Sequence, residues 1–183
     1  MAAGALIGLY QNRHGEYLDQ LGHGTAVAGA ILSHAPDSRL YIAKVFEKAL
    51  HARVETILRA LEWCVNENGT QLVDLSLGAH HPAFANALGR WVERTNLICA
   101  AGFPETVPEG VILVTEDASL PRDGWIRLGE RSFAASGYPR PIPGRAERDN
   151  LSGVSFAVAN FTGLAARHFS VEGRFPWDGK FHD

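Results

Sequence analysis

Strand-like and helix-like segments alternate along this chain of 183 residues, and their order limits its fold more than any other feature. Short apolar or β-branched runs predict strands, and longer segments with apolar residues at helical spacing predict helices. Strands that alternate with helices pair in parallel, so the sequence predicts a three-layer αβα sandwich with a mostly parallel sheet. The predicted strands cover 5–10, 40–46, 72–77, 96–101, 110–114 and an edge strand at 133–135; the predicted helices cover 23–34, 53–68, 82–94 and 155–168.

The composition, 46% hydrophobic and 20% charged, is that of an ordinary globular protein, and the length predicts a single domain spanning residues 1–183. A net charge of −3 without a basic run predicts no nucleic-acid partner. No apolar run approaches the roughly 20 residues that a membrane span needs, so no membrane partner is expected. Cys64 and Cys99 are expected to be buried, reduced thiols, and with no basic leader at the N-terminus they favour a cytoplasmic location.

Two small-residue helices begin at a polar residue close to a glycine. His23 lies between Gly22 and Gly24 at the start of one, and Ser155 follows Gly153 at the start of the other. Loops at the carboxyl ends of parallel strands gather in one place, where chemistry is usually found. A serine hydroxyl is a poor nucleophile until a base takes its proton, and histidine is the natural base. The sequence therefore predicts a His23/Ser155 pair, with no metal and no cofactor.

Six motifs in the same order resemble those of the subtilisin-like serine peptidases (subtilases). Residues 19–29 are similar to the family's segment around the catalytic histidine, which usually reads GHGTHVAG, and 153–157 to the segment that carries the nucleophile. Further similarity is found at 40–46, 73–78, 100–103 and 135–137. The resemblance implies a subtilisin-like fold, His23 as base and Ser155 as nucleophile. It also implies that Ser76, Leu77 and Gly78 lie at a sheet edge that binds an extended peptide.

The chain departs from the family pattern at three places. The first predicted strand runs into Gln11 and Asn12, where the family has its catalytic aspartate, and Asp19 corresponds to a non-catalytic acid. Phe103 stands where the family has the oxyanion-hole asparagine, and its side chain has nothing to donate. Asn160 replaces a histidine that follows the serine, and its amide could serve the oxyanion region only if it faces the cleft.

Two functions follow from these residues. One is a subtilisin-like serine peptidase that acts on a peptide or protein substrate through His23 and Ser155. The alternative is a catalytically inactive pseudopeptidase that binds a peptide or protein partner; another acyl transfer such as peptide ligation is the third option. The role of the family's catalytic aspartate could be taken by a protein partner that completes the site, or by one of several residues of the chain. These candidates are Tyr10, Gln11 and Asn12 as neutral acceptors, and Glu16, Asp19 and Asp74 as carboxylates.

Two observations would separate an enzyme from a pseudoenzyme. A carboxylate within about 3.2 Å of the second ring nitrogen of His23 favours an enzyme. A hydrophobic wall formed by Tyr10 and Phe103 favours a pseudoenzyme. The aromatic tail at 175–181 is expected to dock on its own domain, and contact with a partner is the alternative.

Overall fold

A computed structural model of the chain describes residues 2–5, 10–11, 17–19, 21–46, 49–78, 81–102, 106–139 and 151–178, with 2–5, 10–11 and 17–18 described by their backbone alone. The strands are β1 (Ala2–Ala5), β2 (Tyr10–Gln11), β3 (Tyr17–Leu18), β4 (Arg39–Ile42), β5 (Leu72–Leu75), β6 (Asn96–Ala100), β7 (Ile112–Glu116), β8 (Trp125–Arg127) and β9 (Ser132–Ala135). The helices are α1 (His23–His34), α2 (Val54–Glu62), α3 (Pro82–Trp91) and α4 (Val154–Glu172). A π-helical turn, Trp63–Glu67, extends α2.

Seven strands form one sheet in the order β4-β1-β5-β6-β7-β9-β8. All neighbours in it are parallel except β8, which runs antiparallel to β9 at the edge. Strands β2 and β3 pair with each other in a separate antiparallel ribbon. The predicted α/β class with a mostly parallel sheet is therefore confirmed.

Alternate residues of each central strand face different helix layers. Leu72 and Ile98 pack in a cluster with α4, whereas their chain neighbours Val73 and Leu97 pack in a cluster with α2 and α3. Helix α1 packs on α4 rather than directly on the centre of the sheet. Since α4 is covered on both sides, it is buried continuously from Phe156 to Ala166.

Small residues allow α1 and α4 to approach closely. Gly163 is the closest point: a Cβ at this position would lie 2.6 Å from the carbonyl oxygen of Ile31 and 3.0 Å from Cβ of His34. A side chain here would have to displace the backbone of α1. The contact fixes the position of both helices, and therefore of the loops at their N-termini.

Several predicted boundaries need correction. The prediction of the first strand at 5–10 is wrong, because β1 is Ala2–Ala5. Pairing with β4 and β5 sets its position. Its alanines and glycine form a weak strand pattern, so the sequence did not indicate it. Residues 6–9 lie outside the described residues. The strand at 133–135 is not an edge strand, because β8 pairs with it and forms the edge of the sheet. Helix 23–34 is confirmed, and Gly69, with φ of +57°, ends the helical segment that contains α2.

The described part of the C-terminal tail docks on its own chain. Phe175 and Trp177 are buried against the cluster that contains α4, and Nε1 of Trp177 donates to Oδ1 of Asn96 at 3.1 Å. The docked tail was expected and is confirmed for residues up to 178. Cys64 and Cys99 are buried and free, as expected, and burial raises the pKa of both thiols. In the described ranges, no helix has the length and apolar character to cross a membrane.

Candidate active site

The N-terminus of α1 is closed by a carboxylate. Gly22 adopts φ of +71° and α1 begins at the next residue, His23. Oδ1 of Asp19 accepts from the backbone N–H groups of Leu21 and Gly22 at 3.2 and 2.8 Å. Its Oδ2 accepts from the backbone N–H and from the hydroxyl of Thr25, each at 2.7 Å. The acid that precedes the histidine motif therefore positions the loop and the first turn of the helix.

Ser155 is tied to the end of β5 by two reciprocal hydrogen bonds. It is the second residue of α4, which follows Gly153 (φ of +130°) and has no side-chain cap. The Ser155 hydroxyl donates to the backbone carbonyl of Ser76 at 3.1 Å, and the Ser76 hydroxyl donates to the carbonyl of Ser155 at 2.8 Å. We refer to this pair of bonds as the serine clasp. It joins the nucleophile loop to the predicted peptide-binding segment.

Five of the predicted site residues line one cleft with a volume of about 490 Å³: His23, Ser76, Leu77, Gly78 and Ser155. The structure thus brings together residues that are as far apart in sequence as 23 and 155. Apolar side chains from the 46–57 segment form much of the remaining wall. Such a cleft, mostly apolar with a few convergent polar groups, suits a peptide or another small organic ligand.

His23 lies in the cleft without a hydrogen-bonded partner among the described residues. Its ring is half-buried and contacts the ring of Phe156, with centroids 5.5 Å apart. Burial lowers the pKa of His23, and the negative charge of Asp19 partly opposes that shift. The Ser155 hydroxyl is hydrogen-bonded to the Ser76 carbonyl and has no hydrogen bond to the imidazole. The base and the nucleophile share a cleft, but no hydrogen bond couples them.

No candidate acid among the described carboxylates is bonded to His23. Both oxygens of Asp19 accept hydrogen bonds at the start of α1. Asp74, on β5, is completely buried; its Oδ1 accepts from the backbone N–H of Ser76 at 2.9 Å, and its Oδ2 has no partner. Thr162 lies beside it but donates its hydroxyl hydrogen to the carbonyl of Val158 at 2.8 Å. Of the other candidates, Asn12 and Glu16 are outside the described residues, and Tyr10 and Gln11 are described only as backbone.

The prediction for Asn160 in the oxyanion region needs correction. Asn160 does not face the cleft: it is fully buried, and its Nδ2 donates to the carbonyls of Ser136 and Tyr138 at 2.9 and 2.7 Å. Its Oδ1 lies 3.1 Å from Nε2 of His34. Asn160 is five positions after Ser155 in the helix, which turns it about 140° around the helix axis, away from the serine. The other predicted position, Phe103, lies outside the described residues.

Sequence reasoning missed two ionisable residues of the cleft, His51 and His81. Each is an isolated loop histidine whose neighbours form no motif, so no pattern indicated a role. His80, the neighbour of His81 in sequence, lies outside the described residues. Across the described ranges, no group of three metal-binding side chains is found. His81 instead begins α3, where its Nδ1 accepts from the backbone N–H of Ala83 at 3.1 Å.

Comparison with known proteins agrees with the geometry. No protein-family model matches the sequence. A thermostable alkaline protease of Halalkalibacterium halodurans is 28% identical over 87% of the chain, and alkaline protease 1 of Aspergillus clavatus is 28% identical over the same share. The chain spans about half the length of these relatives, 49% and 45%.

Solved structures share the fold. The prenylagaramide maturation protease PagA matches with a TM-score of 0.71 and 24% identity, over 94% of this chain and 76% of its own. A cold-adapted subtilisin-like serine proteinase matches with a TM-score of 0.70 and 20% identity, over 92% and 75%. Together with the ordered motifs, these matches show that the chain has the fold of subtilisin-like proteases and is similar to them in sequence.

Proposed function

We propose that this chain binds an extended peptide in the cleft between α1, α4 and the end of β5, without the coupled His/Ser pair of a fast peptidase. One observation carries the proposal: the Ser155 hydroxyl donates to the Ser76 carbonyl, not to His23. A serine whose proton is not accepted by a base is a weak nucleophile. The cleft itself retains the residues that a peptide ligand needs.

Peptide binding is supported by the segment that follows β5. Ser76, Leu77 and Gly78 leave the sheet and line the cleft. The backbone groups of Leu77 and Gly78 can pair with an extended chain, whereas the Ser76 N–H is bonded to Asp74 and its carbonyl to Ser155. The apolar wall supplies space for side chains of the peptide. An incoming N–H group would compete with the Ser155 hydroxyl for the Ser76 carbonyl, so binding would open the serine clasp.

A second function, slow hydrolysis by a His23/Ser155 dyad, is favoured by their presence in the same cleft. Ser155 would attack a peptide carbonyl, while His23 would take its proton and pass it to the leaving amine. In subtilisin the loss of the acid alone lowers kcat about 3 × 10⁴-fold. Loss of one oxyanion donor lowers it by roughly a further 10²–10³. Starting from a typical kcat of about 10 s⁻¹, loss of the acid alone leaves about one turnover per hour, and loss of the oxyanion donor as well lowers the rate further. A protein partner that supplies an acid would be needed for a useful rate.

Two measurements on the same samples test these functions. A fluorophosphonate probe is applied to the native chain, His23→Ala and Ser155→Ala, and binding of labelled peptides is measured by fluorescence anisotropy. We expect peptide binding, with probe labelling of the native chain no faster than that of His23→Ala. Rapid labelling of the native chain that is lost in both variants would establish the dyad and replace the non-catalytic proposal. Absence of binding to any peptide would overturn the peptide-binding proposal.

The comparison proteins suggest which peptides to use first. Two solved structures that share the fold are named as a prenylagaramide maturation protease and a lanthipeptide protease. We therefore propose precursor peptides of prenylagaramides and lanthipeptides as the first ligands, with unrelated extended peptides as controls.

A further inference from the structure

Among the described residues that line the cleft, the ionisable side chains are all histidines: His23, His51 and His81. We propose that the cleft selects peptides in which an apolar residue is followed or preceded by a carboxylate side chain, with His81 as the main determinant of that selection. The proposal rests on peptide binding in this cleft and names the ligand class. It concerns recognition and does not depend on whether Ser155 reacts.

The hydrogen bond at the start of α3 fixes the chemistry of His81. A neutral imidazole has one donor and one acceptor nitrogen. Because Nδ1 of His81 accepts from the backbone N–H of Ala83, the ring hydrogen lies on Nε2. A proton on Nδ1 would face the Ala83 N–H and break the cap. His81 therefore presents an N–H donor to a ligand, and a carboxylate is the strongest acceptor that a peptide side chain can offer.

The charges around the cleft favour the same ligand. The described lining contains no aspartate, glutamate, lysine or arginine, so nothing there repels a carboxylate or competes for it. Asp19 acts on His23, but its oxygens are held by backbone N–H groups and by Thr25. Arg53 and Glu55, close to His51 in sequence, are exposed and do not line the cleft.

The N-terminus of α4 adds a favourable field. This helix of 19 residues has no side-chain cap and begins at the cleft, next to Ser155. The partial positive charge of a helix N-terminus attracts an anion. The field of this helix supports the selection made by the histidines, and the helix N-terminus is not by itself a binding site.

Apolar wall residues supply the second half of the recognition. Phe46, Ile57 and Leu77 line the cleft, and Leu50, also in the lining, is 58% exposed. Ile57 and Leu77 are buried and Phe46 is half-buried. The exposed Leu50 beside them is suited to cover an apolar residue of the ligand. The ligand then has one apolar anchor and one acidic neighbour.

The test compares matched peptides. Short acetylated peptide amides carry one phenylalanine anchor and, next to it on either side, a single aspartate, asparagine or lysine. Their affinities for the native chain are measured by competition in fluorescence anisotropy. We expect the aspartate peptide to bind about tenfold more tightly than the asparagine peptide, as for a charge-assisted compared with a neutral hydrogen bond, and the lysine peptide to bind most weakly.

Two variants assign the preference to His81. Both His81→Asn and His81→Asp keep a side chain that caps a helix N-terminus well, so α3 is preserved, and thermal unfolding checks this. His81→Asn should bring the aspartate and asparagine peptides close to equal affinity. His81→Asp should reverse the order and favour the lysine peptide.

The outcomes separate this inference from the proposed function. Equal affinity of the native chain for all three peptides would overturn the acidic preference and leave peptide binding intact. Failure to bind any of them, or any precursor peptide, would overturn both. An aspartate preference that persists in both variants would overturn the role of His81.

Discussion

The two sides of the cleft are each held by a carboxylate, and the two carboxylates are in opposite environments. On the His23 side, Asp19 receives three backbone hydrogen bonds and one from a hydroxyl. On the Ser155 side, Asp74 is fully buried, with one oxygen bonded to Ser76 and the other without a partner. Neither is bonded to His23. These two acids position the loops on either side of the cleft.

The environments shift the pKa values of the two acids in opposite directions. Burial alone would raise the pKa of Asp19, but the hydrogen bonds from Thr25, Gly22 and Leu21 outweigh it and hold the pKa below its ordinary value. Burial raises the pKa of Asp74 to about 6, and its bonds to Ser76 only partly oppose this. Asp19 therefore contributes stability that is lost as pH falls through its lowered pKa. The contribution of Asp74 is complete below about pH 4 and is lost as pH rises to about 6.

The largest expected effect comes from removing the charge of Asp74. Asp74→Asn keeps an oxygen for the Ser76 N–H and cannot ionise. A native pKa of about 6 corresponds to a penalty on the order of 3 kcal/mol for the ionised form at neutral pH. We expect the variant to increase the free energy of unfolding by up to that amount near pH 8 and to change it little near pH 4. Urea unfolding at both pH values measures this.

The matched control is Asp74→Ala, which also removes the charge but leaves the Ser76 N–H without its acceptor. Loss of a buried acceptor costs about 1–3 kcal/mol, so this variant should be less stable than Asp74→Asn at every pH. If native chain and Asp74→Asn show the same dependence on pH, Asp74 does not titrate as proposed and the contrast with Asp19 fails.

The sequence predicted those parts of the cleft that depend on local pattern. His23 and Ser155 were found because glycines mark sharp starts of small-residue helices, and α1 was found with its correct bounds. The orientation of the Asn160 amide was not predicted, because it depends on the position of Asn160 around the helix and on the buried carbonyl groups that accept from it. Histidines such as His81 have no local signature. Strand β8 was missed because three residues in a loop-rich segment carry too little pattern.

A second prediction tests whether helix packing, in addition to the carboxylates, holds the two sides together. Gly163→Ala places a Cβ 2.6 Å from the backbone oxygen of Ile31, so α1 and α4 must separate. The higher helix propensity of alanine recovers about 1 kcal/mol at most. Overpacking of this kind costs about 1–3 kcal/mol, and we expect a net loss of stability of about 2 kcal/mol or less.

Denaturant unfolding measures the stability of Gly163→Ala, and peptide anisotropy shows whether the cleft changes with it. The control is Gly89→Ala on α3, where the nearest atom to the new Cβ is 3.6 Å away, an ordinary contact. That variant should be neutral or slightly stabilised. Equal stability of the two variants would show that the α1–α4 contact adapts at no cost, and that packing at Gly163 does not fix the cleft.

The smallest effect is expected at Asp19, and it separates the structural role of this acid from an electrostatic role at His23. Asp19→Ala removes the acceptors at the start of α1, for a loss of about 1 kcal/mol, whereas Asp19→Asn keeps one acceptor and should lose less. Both variants remove the negative charge that raises the pKa of His23 against the effect of burial. Both should therefore lower the pKa of His23 further. NMR titration of the imidazole measures that shift and urea unfolding measures the stability. A His23 pKa that falls in Asp19→Ala but not in Asp19→Asn would mean that the loop, not the charge, controls the histidine. In that case Asp19 would act on His23 only through the backbone of Gly22, and the two sides of the cleft would differ in hydrogen bonding alone.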